Sequence, residues 1–183
     1  MNDLLKGVNL YLVGMMGAGK STIGQLLATE LGYRFFDTDT LIEQVAQQSI
    51  TEIFDRDGEE AFRQLESQVL GELSRYHHCV VATGGGIVTR SMNWSYLQHG
   101  IVLWLDVPVA QLHRRLQDDL TRPLLRDPDP QAKLQTLLDR RHSLYAQADV
   151  RLPVGEGETP EDLVPRAIEE IRKVLRSPTV DQN

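Results

Sequence analysis

The segment Gly14-Met15-Met16-Gly17-Ala18-Gly19-Lys20-Ser21 constrains this chain more than any other. It satisfies the spacing G-x-x-x-x-G-K-[ST] and has the flanks that spacing requires. The apolar run Asn9–Val13 reads as a strand before it, and Lys20–Leu31 carries a helical pattern after it. Glycines let such a turn approach a polyphosphate closely, and the backbone N–H groups of the turn and of the helix N-terminus point at the anion. Lys20 is then placed for the β- and γ-phosphates, and Ser21 for the Mg²⁺ ion that bridges them. The motif implies binding of ATP or GTP.

The rest of the chain alternates short apolar runs with amphipathic stretches. Further strands are expected at Arg34–Phe36, Cys79–Thr83, Ile101–Leu105 and Val150–Val154. Helices are expected at Thr40–Gln47, Thr51–Asp55, Glu59–Arg75, Arg90–Gln98, Val109–Gln117, Gln131–Ala146 and Pro160–Arg176. This order predicts an α/β fold, a parallel sheet covered on both faces and joined by right-handed crossovers. Near-continuous apolar strands such as CVVAT and IVLWL fit burial on both sides. The stretch Asp118–Pro130, DDLTRPLLRDPDP, breaks the rhythm with charge and proline and reads as a mobile lid. We expect one kinase-sized domain over residues 1–177 and a frayed tail over 178–183.

Composition excludes several classes. A net charge of -7 argues against a general binder of nucleic acid or anionic membrane, which needs a basic surface. A local arginine pocket for a small anion is still compatible with it. The lone cysteine, Cys79, lies in an apolar run and is expected in the core, with no disulfide framework. No apolar run approaches the ~18 residues of a membrane span, and no targeting layout precedes the first strand, so the expectation is a soluble cytoplasmic protein. The five histidines show no metal-ligand spacing.

A GTPase would normally carry an Asn-Lys-x-Asp base-recognition motif, and none occurs. A small-molecule kinase needs an acceptor pocket, and several segments suit one. Asp37 and Asp39, in FFDTD, stand at the carboxyl end of the second strand, the edge where open α/β sheets bind ligands. They can hold Mg²⁺ through water or orient a hydroxyl, or Asp39 can simply cap the next helix. Arg63 and Glu66 share a helical face, either as a surface pair or with the acid holding the guanidinium for a substrate carboxylate. Gly84-Gly85-Gly86 at the end of the third strand suggests close approach to a ligand or a tight turn. Arg115 precedes the lid and Arg122 lies in it, where an arginine can neutralise a transferring phosphoryl group. Of Arg140 and Arg141, one could face the pocket. Asp106 superficially matches a second metal-holding acid.

Taken in order, GMMGAGKST, FFDTD, IFDRDGEEAFRQLE, ATGGG, RPLL and RHSLY resemble the shikimate kinases, and the resemblance covers nearly the whole chain. It implies a P-loop, nucleoside monophosphate kinase-like α/β/α fold with sheet order 2-3-1-4-5, a monomer, and one Mg²⁺ with ATP as co-substrate. The reaction implied is transfer of the γ-phosphoryl of ATP to the 3-hydroxyl of shikimate, on the way to chorismate and the aromatic amino acids. Gly17, Ala18, Gly19, Lys20, Ser21 and Thr22 would cradle the nucleotide, with Arg115 against the adenine and Arg122 on the phosphates. Asp37 would support the metal through water and Asp39 would meet the ring hydroxyls as candidate base. Arg63 and Arg141 would grip the carboxylate, with Gly84, Gly85 and Gly86 against the ring. Two rival readings are a gluconate-type kinase and a non-catalytic relative kept as a binding module.

Overall fold

In the computed structural model, which describes residues 3–117, 119 and 127–176, five parallel strands form one sheet. They are β1 (Leu10–Val13), β2 (Arg34–Asp37), β3 (Cys79–Ala82), β4 (Ile101–Asp106) and β5 (Val150–Pro153), in the order β2-β3-β1-β4-β5. Helices cover both faces: α1 (Lys20–Leu31), α2 (Thr38–Ala46), α3 (Ile50–Leu73), α4 (Ser91–Leu97), α5 (Val109–Leu116), α6 (Pro130–Tyr145) and α7 (Pro160–Arg176). All five expected strands are present, in the order the resemblance implied. Every residue of β1 and β3 is buried, as two-sided cover demands. The edge strand β5 instead alternates buried Val150 and Leu152 with exposed Arg151 and Pro153. Pro153 is tolerated there because an edge strand has N–H groups that need no ladder partner. Cys79 is buried in the core, as expected.

Register carries the functional consequence. Leu10 pairs with Val80 on one side and Ile101 on the other, while Asp37 stands opposite Ala82. The carboxyl ends of β2, β3, β1 and β4 therefore finish side by side. Asn9, just before β1, locks this alignment: its side chain donates to the Tyr76 carbonyl at 2.9 Å and accepts from the Cys79 N–H at 3.0 Å.

Three local details differ from the sequence expectation. Helix α2 starts two residues early, because Asp37 and not Asp39 is its cap. The Asp37 carboxylate accepts from the N–H groups of Asp39 (2.9 Å) and Thr40 (3.3 Å). The expected pair of helices Thr51–Asp55 and Glu59–Arg75 is present as the two arms of α3, which meet at the non-helical Gly58 (φ 84°, ψ 172°), but the first arm begins at Ile50 and the second ends at Leu73. The start of α3 is held by a reciprocal cap in which Ser49 accepts from Glu52 N–H and Glu52 accepts from Ser49 N–H. The expected Arg90–Gln98 helix is α4, preceded by a separate 3₁₀ turn at Ile87–Thr89. Most of the expected lid, 118–130, and the tail, 178–183, lie outside the described residues.

A β-carbon at Gly58 would meet nothing within 4 Å, so its requirement is purely one of backbone conformation. Gly58→Ala is expected to lower stability by about 1–3 kcal/mol, the cost of a side chain at positive φ with extended ψ, a region open essentially to glycine alone. Urea unfolding checks this; a stabilised variant would mean that the break relaxes into a continuous helix.

Candidate active site

Gly19 caps α1 in the left-handed conformation (φ 94°) and has no side chain to occupy the N–H groups of the first turn. Those donors are left for an anion. Lys20 is buried and folded back onto the loop, its Nζ donating to the carbonyls of Gly14 (2.6 Å) and Met15 (2.9 Å). A triphosphate would offer stronger, charged acceptors to the same ammonium. Ser21 Oγ donates to the Asp37 carboxylate, so the hydroxyl of the loop and the acid of β2 already meet. Arg115, from the last turn of α5, donates to the carbonyls of Gly17 and Ala18, both at 3.1 Å. With Gly17–Gly19, Thr22, Ile23, Glu158, Pro160 and Leu163 it lines a cleft of about 290 Å³.

On the other side of the P-loop lies a cavity of about 800 Å³. Asp39 from α2, Arg63 and Glu66 from α3, Gly84–Gly86 after β3 and Arg141 from α6 all line it. Asp37, Ser21 and Met16 line it too, so it opens directly beside the phosphate loop. Arg140 is exposed, which leaves Arg141 as the arginine that reaches the cavity.

Arg63 Nη1 donates to Glu66 Oε1 at 2.8 Å, and the Glu66 side chain is wholly buried. This is the positioning arrangement and not the solvated surface pair. Burial pushes the Glu66 carboxyl above its ordinary range; Arg63, by charge and hydrogen bond, pulls it back, while the nearby Asp39 adds to the rise.

The three glycines are explained by what crowds them. A β-carbon on Gly84 would stand 2.7 Å from Glu66 Oε2 and 3.0 Å from Asp39 Oδ1. One on Gly85 would stand 3.2 Å from the Met16 nitrogen, and one on Gly86 would land on the Arg63 guanidinium. The loop is held in this crowded place by two threonines. Thr38 Oγ1 accepts from the Gly84 N–H at 3.1 Å, and Thr83 Oγ1 donates to the Leu12 carbonyl at 2.7 Å.

Asp106 is engaged elsewhere. Its Oδ2 accepts from Arg151 Nε (2.9 Å) and Nη2 (2.6 Å) across the β4–β5 pair. Asp37 is the acid beside Ser21. Arg122 lies outside the described residues. No group of three or more His, Cys, Asp or Glu side chains that could hold a metal occurs among the described residues. No helix among them is long and apolar enough to cross a membrane.

The shikimate kinase family model matches residues 16–172. The chain belongs to the shikimate kinase family. A shikimate kinase of Nostoc sp. (strain PCC 7120) is 57% identical over 176 residues, 96% of this chain and 97% of that relative. The crystallised shikimate kinase from Acinetobacter baumannii in complex with shikimate superposes with a TM-score of 0.86 at 38% identity, covering 94% of this chain and 95% of that one. A gluconokinase from Sinorhizobium meliloti shares the fold alone, with a TM-score of 0.56 at 16% identity over 92% of this chain and 93% of its own.

Sequence reasoning overlooked several residues in this shikimate kinase site. Phe54 and Phe62 line the acceptor cavity with ring centroids 4.8 Å apart; their eight-residue separation on a helical pattern was the available signal. Glu158, in the segment PVGEGET, whose sequence singles out no contact, and Pro160, the first residue of α7, line the nucleotide-side cleft. Thr38, between the two acids, was legible only as a spacer.

Gly86 has φ −95° and ψ 5°, open to any residue, so Gly86→Ala adds no backbone strain and acts by displacing Arg63 from Glu66. Expected is a rise in the shikimate KM of about tenfold or more with a lowered melting temperature, since the enclosed Glu66 loses its partner, read by steady-state kinetics and thermal unfolding. Glu66 has a pH signature. Its folded carboxyl binds a proton more tightly than the unfolded chain does, so stability is fullest below its ordinary value of 4.5 and falls as pH rises through the raised one. The Tm of Glu66→Gln relative to the parent should therefore climb as pH rises above 4.5, and a flat difference would remove the burial assignment.

Proposed function

We propose that this chain transfers the γ-phosphoryl group of ATP to the 3-hydroxyl of shikimate, giving shikimate 3-phosphate and ADP. The observation that carries the reading is the cavity of about 800 Å³ beside the P-loop, lined by two arginines, an aspartate and the backbone of a glycine turn. Shikimate has one carboxylate and three ring hydroxyls, and this set of groups complements both. Arg63 and Arg141 bind the carboxylate; Arg63 is already oriented by Glu66, so little side-chain freedom remains to be lost on binding. Asp39 meets the hydroxyls, its own backbone N–H being taken by the Asp37 cap.

On the nucleotide side, the N–H groups of Gly17–Thr22 cradle the phosphates and Lys20 exchanges its two carbonyl partners for phosphate oxygens. Ser21 and Asp37 offer the all-oxygen donor pair that suits Mg²⁺, with Asp37 acting through water. That ion, when bound with ATP, supplies charge neutralisation at the bridging phosphates. Arg115 lies against the adenine side of the cleft, and Arg122 joins the phosphates from the lid segment.

In the transfer, the shikimate 3-oxygen forms a bond to the γ-phosphorus as the bond to the β,γ-bridging oxygen of ATP breaks. Asp39 orients the hydroxyl and accepts its proton. Phosphoryl transfer leaves the protein little covalent work, so rate comes from positioning and fixed charge. The same reading makes residues 1–177 one kinase domain acting as a cytoplasmic monomer.

ADP release from Mg-ATP, measured with shikimate, gluconate or no acceptor, tests the reading. Stimulation by shikimate alone is expected. Arg141→Ala should then raise the shikimate KM roughly 10–150-fold, the loss of a charge-assisted hydrogen bond, and leave the ATP KM within about twofold. Stimulation by gluconate, or by neither acid, would overturn the acceptor assignment.

A further inference from the structure

Helix α6 delivers two side chains four residues apart, Arg141 and Tyr145. Arg141 lines the acceptor cavity, whereas Tyr145 is completely buried. Packing alone would be served by phenylalanine at that position. The Tyr145 ring stacks on Trp104 of β4, with centroids 5.7 Å apart and planes inclined by 23°. A hydroxyl added to such a site is costly unless it is bonded. It is bonded to the glycine turn of the acceptor site. Tyr145 Oη donates to the Gly85 carbonyl at 2.6 Å, and the Arg141 guanidinium lies beside the same glycine, close enough for its charge to act on the phenol.

Gly85 is in turn wedged against the phosphate loop. A β-carbon on it would stand 3.2 Å from the Met16 nitrogen, 3.5 Å from the Gly14 carbonyl oxygen and 3.5 Å from Arg141 Nη1. One hydroxyl thus lies where the arginine of α6, the glycine turn after β3 and the P-loop come together. Burial pushes the phenol above its ordinary range, against the pull of Arg141 and Arg63, so it keeps its proton and remains a donor.

We propose that Tyr145 is a positioning residue for the acceptor: its hydroxyl sets the Arg141 guanidinium and the Gly85 peptide relative to one another, so that the carboxylate clamp and the ring-facing turn form one preorganised unit. This rests on the assignment of Arg141 and Gly84–Gly86 to shikimate made above. Tyr145 touches neither substrate. Its effect falls on a contact made alike in the ground and transition states, and it therefore shows in KM more than in kcat.

The experiment compares Tyr145→Phe, Trp104→Phe and Arg141→Ala with the parent, recording kcat, both KM values and the melting temperature. Tyr145→Phe keeps the ring and its stack, so the core stays filled. It is expected to raise the shikimate KM about tenfold, with kcat within about threefold and the ATP KM within about twofold. Trp104→Phe disturbs the same stack without touching the hydroxyl. It should lower the melting temperature at least as much, yet leave the shikimate KM within about twofold. If Trp104→Phe raised the shikimate KM as much as Tyr145→Phe, the effect would be packing and the positioning role would fall. An unchanged shikimate KM in Tyr145→Phe, alongside a large rise in Arg141→Ala, would overturn the positioning role and leave the clamp standing. No rise in Arg141→Ala would remove the clamp and the role of Tyr145 with it.

Discussion

At the carboxyl end of β3 there is no room for a side chain on three successive residues, and the ligand-facing edge of the molecule is arranged around that fact. The backbone of Gly84–Gly86 is approached by Glu66 and Asp39 on one residue, by the P-loop on the next and by Arg63 on the third. Groups from α2, α3, α6 and the loop after β1 can converge only because nothing projects between them. The turn is in turn placed by the parallel register that ends β2, β3 and β1 together, and pinned by Thr38 and Thr83. A shift of one residue in β3 would carry every one of these contacts away from the phosphate loop.

The site contains a buried acid whose worth depends on its neighbour. Glu66 is fully enclosed, a position that opposes its ionisation, and the Arg63 guanidinium is what compensates. Such a pair adds little to stability compared with apolar packing of the same volume. Its value lies in geometry, since a guanidinium held at one end presents its remaining donors in a set direction. Tyr145, proposed to position Arg141, does so through the Gly85 peptide, with a buried hydroxyl in place of a buried carboxylate. In the proposed clamp each arm then has its own support, Glu66 of α3 for Arg63 and Tyr145 of α6 for Arg141.

Much of this was legible beforehand, for identifiable reasons. The P-loop is contiguous, so one short segment carries its glycines, its lysine and its serine, and their spacing is a property of the chain itself. The five strands were legible because burial on both faces leaves an unbroken apolar run. The break at Gly58 showed as an interruption of helical pattern. Other features depend on partners far away in the chain. Asp37 and Asp39 are equivalent as letters, yet Asp37 takes the helix cap and meets Ser21, while Asp39 turns to the acceptor cavity. Arg140 and Arg141 are equally ambiguous until α6 is docked. The apparent metal acid Asp106 lost that role only because Arg151, 45 residues later, lies beside it.

By itself, then, the sequence determined the architecture, the phosphate-binding loop and the cast of polar residues at the sheet edge. These follow from local spacing and from the periodicity of burial, both of which are written along the chain. Tertiary structure alone decided which acid caps α2 and meets Ser21, which arginine enters the cavity, and why three glycines and a buried tyrosine stand where they do. Those are questions of distance between segments 20 to 100 residues apart, and the packing of helices on the sheet sets such distances.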